Sequence, residues 1–367
     1  MSISSQQLQS CLAIEDLTQS STHAIAKMQQ LLVEQLHRLY PPVQKVEGSR
    51  IVSQAENYDL LGYSSEDVTR GNTYTKWVDD THLLRTQTTS LIVGALQQLS
   101  HCPQPQTLVA PGLVYRRDVR DRWHCAEPHQ MDVWVVYPKN SAYDREDALL
   151  RLIKTIVQTS VPNTQYRILE TEHHYTQQGK EVEIKWEGQW LEVLECGHID
   201  PALLDRLGWD SQNWTGLALG MGLDRLVMCR KKLPDIRLLR DDLPLVVKQM
   251  ENLDPWKQVS RQPAAERHLS LALDSDAPLE HITEQILEHY PNHAHWIESI
   301  EKIGVWHGLS LPAAALEKLG MGEHQVNVAL KIVLRDLHQS IDRDLANDVA
   351  RKIYKILHQG TSWVYCP

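Results

Sequence analysis

Phenylalanine is missing from all 367 residues, although 11 tryptophans and 12 tyrosines show that aromatic side chains as a class are not avoided. Ordinary composition makes such a zero a poor match to chance. No apolar run approaches the roughly 20 residues of a spanning helix, which excludes a helical membrane protein. The start, MSISSQQLQSCLAIEDLTQSS, has neither a basic leader nor an apolar core, so no secretory signal is expected. Six cysteines occur without one CxxC pair, which argues against a disulfide frame or a zinc ribbon and leads to the expectation of reduced thiols in a cytoplasmic protein. A basic excess is lacking too. The formal charge is −10, so a general polyanion-coating or DNA-binding role is not expected, although a local basic groove survives on many acidic proteins.

What is present reads as a mixed α+β chain. Ile25, Met28, Leu31, Leu32, Leu36 and Leu39 share one helical face, so the first forty residues read as helix up to Pro41-Pro42. LVAPGLVYRR and MDVWVVY read as two strands joined by a polar loop, and Ala148 to Val161 as an amphipathic helix. EVEIKWEGQWLEVLECG reads as a hairpin turning at Glu187-Gly188, and TGLALGMGLDRLVMCRKKL as a strand that becomes a helix. Asn252 to Arg261 is the linker candidate. The β-α-β-β-α order beyond it predicts helices on one antiparallel sheet, a ferredoxin-like sandwich.

Three segments concentrate polar chemistry: Tyr115-Arg116-Arg117-Asp118 with His124 and His129-Gln130-Met131-Asp132 downstream, LEVLECG at 191–197, and GMGLDRL at 220–226. Side chains two apart on a strand share a face, so Arg116 and Asp118 address one ligand from one side. Gly220 and Gly222 permit close backbone approach before Arg225 is aimed from a helix start.

At these residues the sequence resembles class II aminoacyl-tRNA synthetases, in particular the catalytic chain of phenylalanyl-tRNA synthetase. DTHLLRTQTTS, PGLVYRRD, HQMD, LEVLECG, GLALGMGLDRL and PDIRLLR carry the resemblance between about His23 and Leu243, and their order and spacing make it specific. The tail from about Pro263 is similar to the ferredoxin-fold anticodon-binding domain. Both on one chain resemble the monomeric organellar-type enzyme, and more closely a group of related bacterial ligases. The resemblance implies a helical segment over 1–45, an antiparallel-sheet catalytic domain over 46–250, a linker over 251–262 and the ferredoxin-like domain over 263–367.

It also implies ATP and Mg²⁺ as cofactors and an amino acid as substrate. Arg116 would bridge the α-phosphate and the substrate carboxylate, Asp118 would receive the adenine amino group, and His124 would contact the nucleotide. Arg225 would meet the γ-phosphate beside Gly222, and Glu192 would be the magnesium-side carboxylate. Gln130 and Asp132 would hold the substrate ammonium, with Asp where the family has Glu. Gln87 and Thr89 stand for a histidine and a serine, His173 and Tyr175 for two ring-pocket phenylalanines, and Glu195 for a small residue before Cys196-Gly197. Pro128 and Leu219 also replace family phenylalanines, so His173 and Tyr175 follow from Phe avoidance as readily as from altered specificity. Glu195 and Gln87 do not. A chain without Phe is translatable when Phe-charged tRNA is scarce; selection of that kind and compositional drift both account for the zero.

Taken singly, Arg116 and Arg225 read equally as salt-bridge arginines. His124, Cys125 and His129 lack the ligand spacing of a zinc site, so nucleotide and packing roles are expected there. Glu192 and Glu195, three apart on a strand, are expected on opposite faces or across a bend. From Trp256 onward 11 Lys/Arg face 14 Asp/Glu, and Gln339-Ser340-Ile341 stands where the family has Arg-Thr-Leu. That tail predicts a weak grip on RNA. The 3′ end of a tRNA leads as acceptor by resemblance. A small molecule or carrier is the runner-up, and a non-catalytic amino-acid or nucleotide sensor is the third reading.

Overall fold

The computed structural model describes residues 2–117, 121–257, 263–307, 310–336 and 339–363. Asp118, read above as an adenine contact, and residues 258–262 of the expected linker lie outside the described residues. The chain divides into two compact units. Met1–Arg116, Glu127–Leu233 and Val247–Trp256 form the first; Arg117–Ala126, Pro234–Val246 and Lys257–Pro367 form the second.

The first unit begins with α1 (Ser5–Ala13), a single 3-10 turn at Leu17–Gln19 and α2 (Ala24–Leu39). The one helical stretch expected over the first forty residues is therefore two helices. The Asp16 carboxylate accepts from Thr18 N–H at 3.0 Å and His23 Nδ1 accepts from Ile25 N–H at 3.1 Å. Such local side-chain bonds compete with helix continuation. The periodic face of α2 is buried through Ile25, Met28, Leu32 and Leu36.

The strands of this unit are β1 (Val43–Lys45), β2 (Ile51–Ser53), β3 (His82–Leu84), β4 (Gln106–Leu113), β5 (His129–Pro138), β6 (Tyr166–Glu170), β7 (Thr176–Trp186), β8 (Gln189–Ile199) and β9 (Trp214–Gly222). Seven of them form one sheet in the order β1-β4-β5-β9-β8-β7-β6, antiparallel except at β1–β4. The β7–β8 hairpin turns where the sequence predicts, with Glu187 and Gly188 both at positive φ (45° and 86°), the backbone of a type I′ turn.

Period-2 alternation gives this sheet two faces. Helices α3 (Thr89–Leu99), α4 (Ala148–Ser160), α5 (Pro201–Arg206) and α6 (Leu223–Lys231) complete the unit's main layers. On one face α6 packs on β5, with α2 and α4 beside it. On the other, Leu108, Ala110, Trp134, Val136 and Ala218 meet Ile92, Val93 and Leu96 of α3 and Leu203 and Leu204 of α5. Each such aliphatic side chain contributes roughly 1.5–3 kcal/mol on burial. This apolar cluster stops at Trp134. Further along the same face β5 presents Asp132 and Gln130, and β9 presents Gly220 and Gly222, in register with them. One end of the face holds the fold and the other is left for chemistry.

A short helix α7 (Pro244–Gln249) spans the division between the units. The second unit contains β10 (Ala265–Leu273), α8 (Leu279–His289), β11 (Ile297–His307), α9 (Ala313–Leu319), β12 (Val326–Leu334) and α10 (Arg343–Leu357). Its sheet order is β10-β12-β11 with β12 antiparallel to both neighbours. Hence β10 and β11 are parallel and joined by α8 across an intervening strand, the split β-α-β of ferredoxin-like folds. Leu271, Val328, Leu330 and Ile332 pack with Ile286 of α8 and Val349 and Ile353 of α10. The segment LPAAALEKLGMGEH between β11 and β12 carries α9, an element the β-α-β-β-α reading did not contain. Among the described residues no helix is long and apolar enough to cross a membrane.

Candidate active site

A cavity of about 410 Å³ opens at the polar end of the first unit's sheet. Of the residues singled out from sequence, Gln87, Thr89, Arg116, Gln130 and Asp132 line one part of it. His173, Tyr175, Glu192, Glu195 and Gly222 line the rest. Four are not among the lining residues. Asp118 lies outside the described residues. His124 belongs to the second unit, where its Nδ1 is 2.9 Å from Asp121 Oδ1. Gly197 makes room between strands: a Cβ there would stand 2.7 Å from Thr176 Cβ. Arg225 reaches the site through Glu192, donating to its carbonyl oxygen at 3.0 Å and standing 3.7 Å from its carboxylate.

Arg116 follows β4 and is held from two sides. Its Nε donates to Thr86 O at 2.9 Å, and its guanidinium lies over the Tyr74 ring at 5.7 Å. Thr86 is itself fixed by Asn57, whose Nδ2 donates to Thr86 Oγ1 at 2.8 Å and whose Oδ1 accepts from Thr86 N–H at 3.2 Å. The Asn57 carbonyl accepts from Gln87 Nε2 at 2.9 Å. Asn57 is fully buried on a single wide π-helical turn, Ala55–Asp59, a geometry frequent at functional sites. Sequence reasoning missed this residue, since nothing in QAENYDLLGY distinguishes it from a surface asparagine.

Opposite stands Asp132, only 2% exposed. Its two oxygens accept from Thr88 Oγ1 at 2.6 Å and Thr89 Oγ1 at 2.7 Å, with the Trp134 indole N–H at 3.4 Å. Burial pushes its carboxyl above the ordinary aspartate value, and the two threonine hydroxyls partly offset that. Thr88 was not singled out from sequence, although it adjoins Thr89 in the same RTQTTS segment. Donors from Thr88 and Thr89 at α3's start fix the orientation of the Asp132 carboxyl at the cavity wall.

Of the two arrangements expected for Glu192 and Glu195, opposite faces or a bend between them, the structure shows the bend. Leu194 pairs with Val182 but Glu192 pairs with Glu183, so Val193 is an extra residue, a β-bulge. The bulge returns both glutamates to the same face, where both line the cavity. Glu192's carboxyl is raised by burial; Arg225 opposes this while Glu195 and Glu181 add to it. A carboxylate crowded by others accommodates a hard cation well. Among the described residues no three His, Cys, Asp or Glu side chains converge into an all-protein metal cage.

His173 and Tyr175 arrive from the connection between β6 and β7. Tyr175 stacks on Trp134 with ring centroids 5.6 Å apart, and burial raises its hydroxyl well above the ordinary tyrosine value. His173 Nε2 lies 3.4 Å from Glu195 Oε1, close enough for charge attraction when the ring is protonated but without a directed hydrogen bond. The His173 imidazole beside Glu195, with Arg116 adding, holds that carboxyl below the ordinary glutamate range against the opposing cost of burial. Tyr58, Tyr63 and Tyr74, not predicted from sequence, complete the aromatic walls.

Residues 8–250 match the family described as tRNA synthetases class II core domain (F). The phenylalanine–tRNA ligase alpha subunit of Prochlorococcus marinus subsp. pastoris is 33% identical over 190 residues, covering 52% of this chain and 55% of that one. That of Synechocystis sp. is 30% identical over 192 residues, covering 52% and 56%. The chain spans about half the length of the curated relatives it matches. A solved pyrrolysyl tRNA synthetase from Desulfitobacterium hafniense aligns with a TM-score of 0.47 at 15% identity, covering 65% of this chain and 78% of that one. Every residue lining the cavity falls inside the matched stretch, and the chain belongs to the class II tRNA synthetase core-domain family.

Proposed function

We propose that this protein is an amino-acid-activating ligase that makes an aminoacyl-adenylate from an amino acid and ATP. One observation carries the reading: a single cavity sets Arg116 and Asp132, each held by partners of its own, around a floor of glycines. An amino acid brings an ammonium and a carboxylate, and these are the charges that Asp132 and Arg116 complement. Gln130, at the same end of β5, adds a polar contact for the ammonium.

In the proposed step a carboxylate oxygen of the amino acid attacks the α-phosphorus. The bond from that phosphorus to the bridging oxygen breaks, and pyrophosphate leaves with the electron pair. No general base is needed, because the nucleophile is already ionised. The chain's contribution is to hold partners in line and to offset growing negative charge. Arg116 does this at the α-phosphate and Arg225, beside Glu192, at the outer phosphates. Bound Mg²⁺, with Glu192 as its protein ligand, would screen the phosphate charges.

Pyrophosphate exchange across a panel of amino acids tests the reading. Arg116→Ala should lower the exchange rate about 10²–10³-fold, the usual effect of removing one fixed donor to developing charge. A wild type that binds an amino acid yet exchanges nothing would make the protein a sensor. For the acceptor, family membership supports the 3′ end of a tRNA as the leading proposal, with the cytoplasm as the proposed setting. A small molecule or carrier is favoured by one feature of the tail, which from Trp256 onward carries 14 Asp/Glu against 11 Lys/Arg, with Lys302, Lys331 and Arg351 paired to Asp276, Glu266 and Asp348.

A further inference from the structure

Arg116, Asp132 and Glu192 each have a task in the activation reading, and Glu195 has none. Its position is specific. Across the sheet Asp132 pairs with Gly220, and Gly220 pairs with Glu195, so the three occupy one row on one face. Neighbouring strands lie about 4.8 Å apart, which separates the backbones bearing the two carboxylates by roughly 9–10 Å. Between them is only a glycine. A Cβ at Gly220 would meet nothing closer than Asp132 Oδ1 at 3.7 Å, and one at Gly222 nothing within 4 Å. These two glycines therefore leave an open trough with a carboxylate at each end, one fixed by two threonines and the other facing His173 without a directed bond.

Charge and walls agree with that shape. Among the described lining residues Asp132, Glu172, Glu192 and Glu195 carry carboxylates, whereas Arg116 alone of them carries a guanidinium. The Tyr63 and Tyr175 rings flank the cavity, and aromatic faces attract cations. A neutral apolar side chain would bury Glu195 with only His173, 3.4 Å away, and the more distant Arg116 to offset the cost of a desolvated charge. A short chain ending in an ammonium or guanidinium, anchored by its α-ammonium at Asp132, would meet Glu195 with its second charge.

We propose that the amino acid selected by this site has a cationic side chain, of the lysine, ornithine or arginine class, read by Glu195 across Gly220. This rests on the activation reading. The test uses the full chain and calorimetric titration with non-hydrolysable lysyl-, ornithyl-, arginyl- and phenylalanyl-sulfamoyladenosine. At least one basic analogue should bind about 10–100-fold more tightly than the phenylalanyl analogue, the range of one charge-assisted contact. Glu195→Gln, nearly isosteric, should erase most of that preference while leaving the phenylalanyl affinity within about threefold. A wild type that prefers the phenylalanyl analogue, or a preference unchanged in Glu195→Gln, overturns the proposal and leaves the activation reading standing. Failure of every analogue to bind overturns both.

Discussion

His129 on β5 and Asp224 in the first turn of α6 form a buried pair: the Asp224 carboxylate accepts both the His129 backbone N–H and, at 3.2 Å, its Nδ1. Leu17 N–H donates to Nε2 of the same ring at 3.0 Å, so Nε2 carries the lone pair and the ring proton sits on Nδ1. This histidine, which invites a zinc reading from sequence, instead joins the strand bearing Gln130 and Asp132 to the helix bearing Arg225.

Asp224→Ala should therefore destabilise the fold by about 2–3 kcal/mol, the scale of buried hydrogen bonds to a charged group. Asp224→Asn, which keeps one acceptor oxygen, should cost less. Urea unfolding of the three proteins checks the order. Equal midpoints would mean that the helix and strand are held by apolar packing alone.

The parts of this site that sequence discloses are those where a chemical demand falls on one local segment. GMGLDRL shows a strand turning into a helix because glycine spacing and helical periodicity are local, and the Glu187-Gly188 turn is legible for the same reason. LEVLECG alone left open whether Glu192 and Glu195 lie on opposite faces or across a bend, because a bulge at Val193 depends on pairing with β7. Asn57 and Thr88 were missed because their value comes from what they orient, Thr86 and Asp132, residues far away in sequence. The apolar face of α2 begins only at Ile25, and the break before it rests on side-chain caps at Asp16 and His23 that apolar spacing does not register. The residue types replacing phenylalanine do not separate avoidance from specificity, whereas position does so for Glu195.

Lys231, at the end of α6, is only 1% exposed and donates to the carbonyls of Gln249, Asn252 and Asp254 at 2.7–2.9 Å. Burial draws its ammonium down from 10.5 to about 8, with Asp254 pulling the other way. The unfolded chain then holds this proton more tightly than the fold. Below pH 8 both states are protonated and the full penalty applies; between about 8 and 10.5 the penalty is progressively removed, so this group makes stability rise with pH. Comparing wild type with Lys231→Met at pH 7.5 and pH 10 isolates the effect. The wild type should gain on the variant at the higher pH, and a loss would show that the carbonyl cage outweighs burial.

Binding of tRNA should depend only shallowly on salt. Each phosphate neutralised contributes about 0.7–0.9 to the slope of log K against log salt. From Trp256 onward 14 Asp/Glu outnumber 11 Lys/Arg, and Lys302, Lys331, Arg335 and Arg351 are each paired with a carboxylate, so net counterion release should be small. A slope magnitude below about 3 between 50 and 200 mM KCl is expected from filter binding. A slope near 6 would restore ordinary backbone recognition and favour tRNA as the acceptor.

Two glycines on β9 are required for different reasons, and substitution should separate them. At Gly216 an added Cβ would lie 2.2 Å from Val135 O and 2.7 Å from Ile199 Cδ1. A backbone oxygen cannot step aside cheaply, so Gly216→Ala should strain the β5–β9 ladder and cost roughly 1–3 kcal/mol, the usual scale of overpacking. At Gly220 the only neighbours are the Asp132 carboxylate atoms at 3.7–4.0 Å, ordinary contact distances. Gly220→Val should then fold with a nearly unchanged melting temperature, since valine suits a strand and its side chain enters empty space. That space is the trough between Asp132 and Glu195, so the same variant should lose amino-acid-dependent pyrophosphate exchange through a raised KM for the amino acid, with the KM for ATP little altered. Thermal unfolding and the two KM values together decide the matter. A Gly220→Val protein that is as active as wild type would place the substrate elsewhere in the cavity, and one that is as unstable as Gly216→Ala would make Gly220 a packing residue.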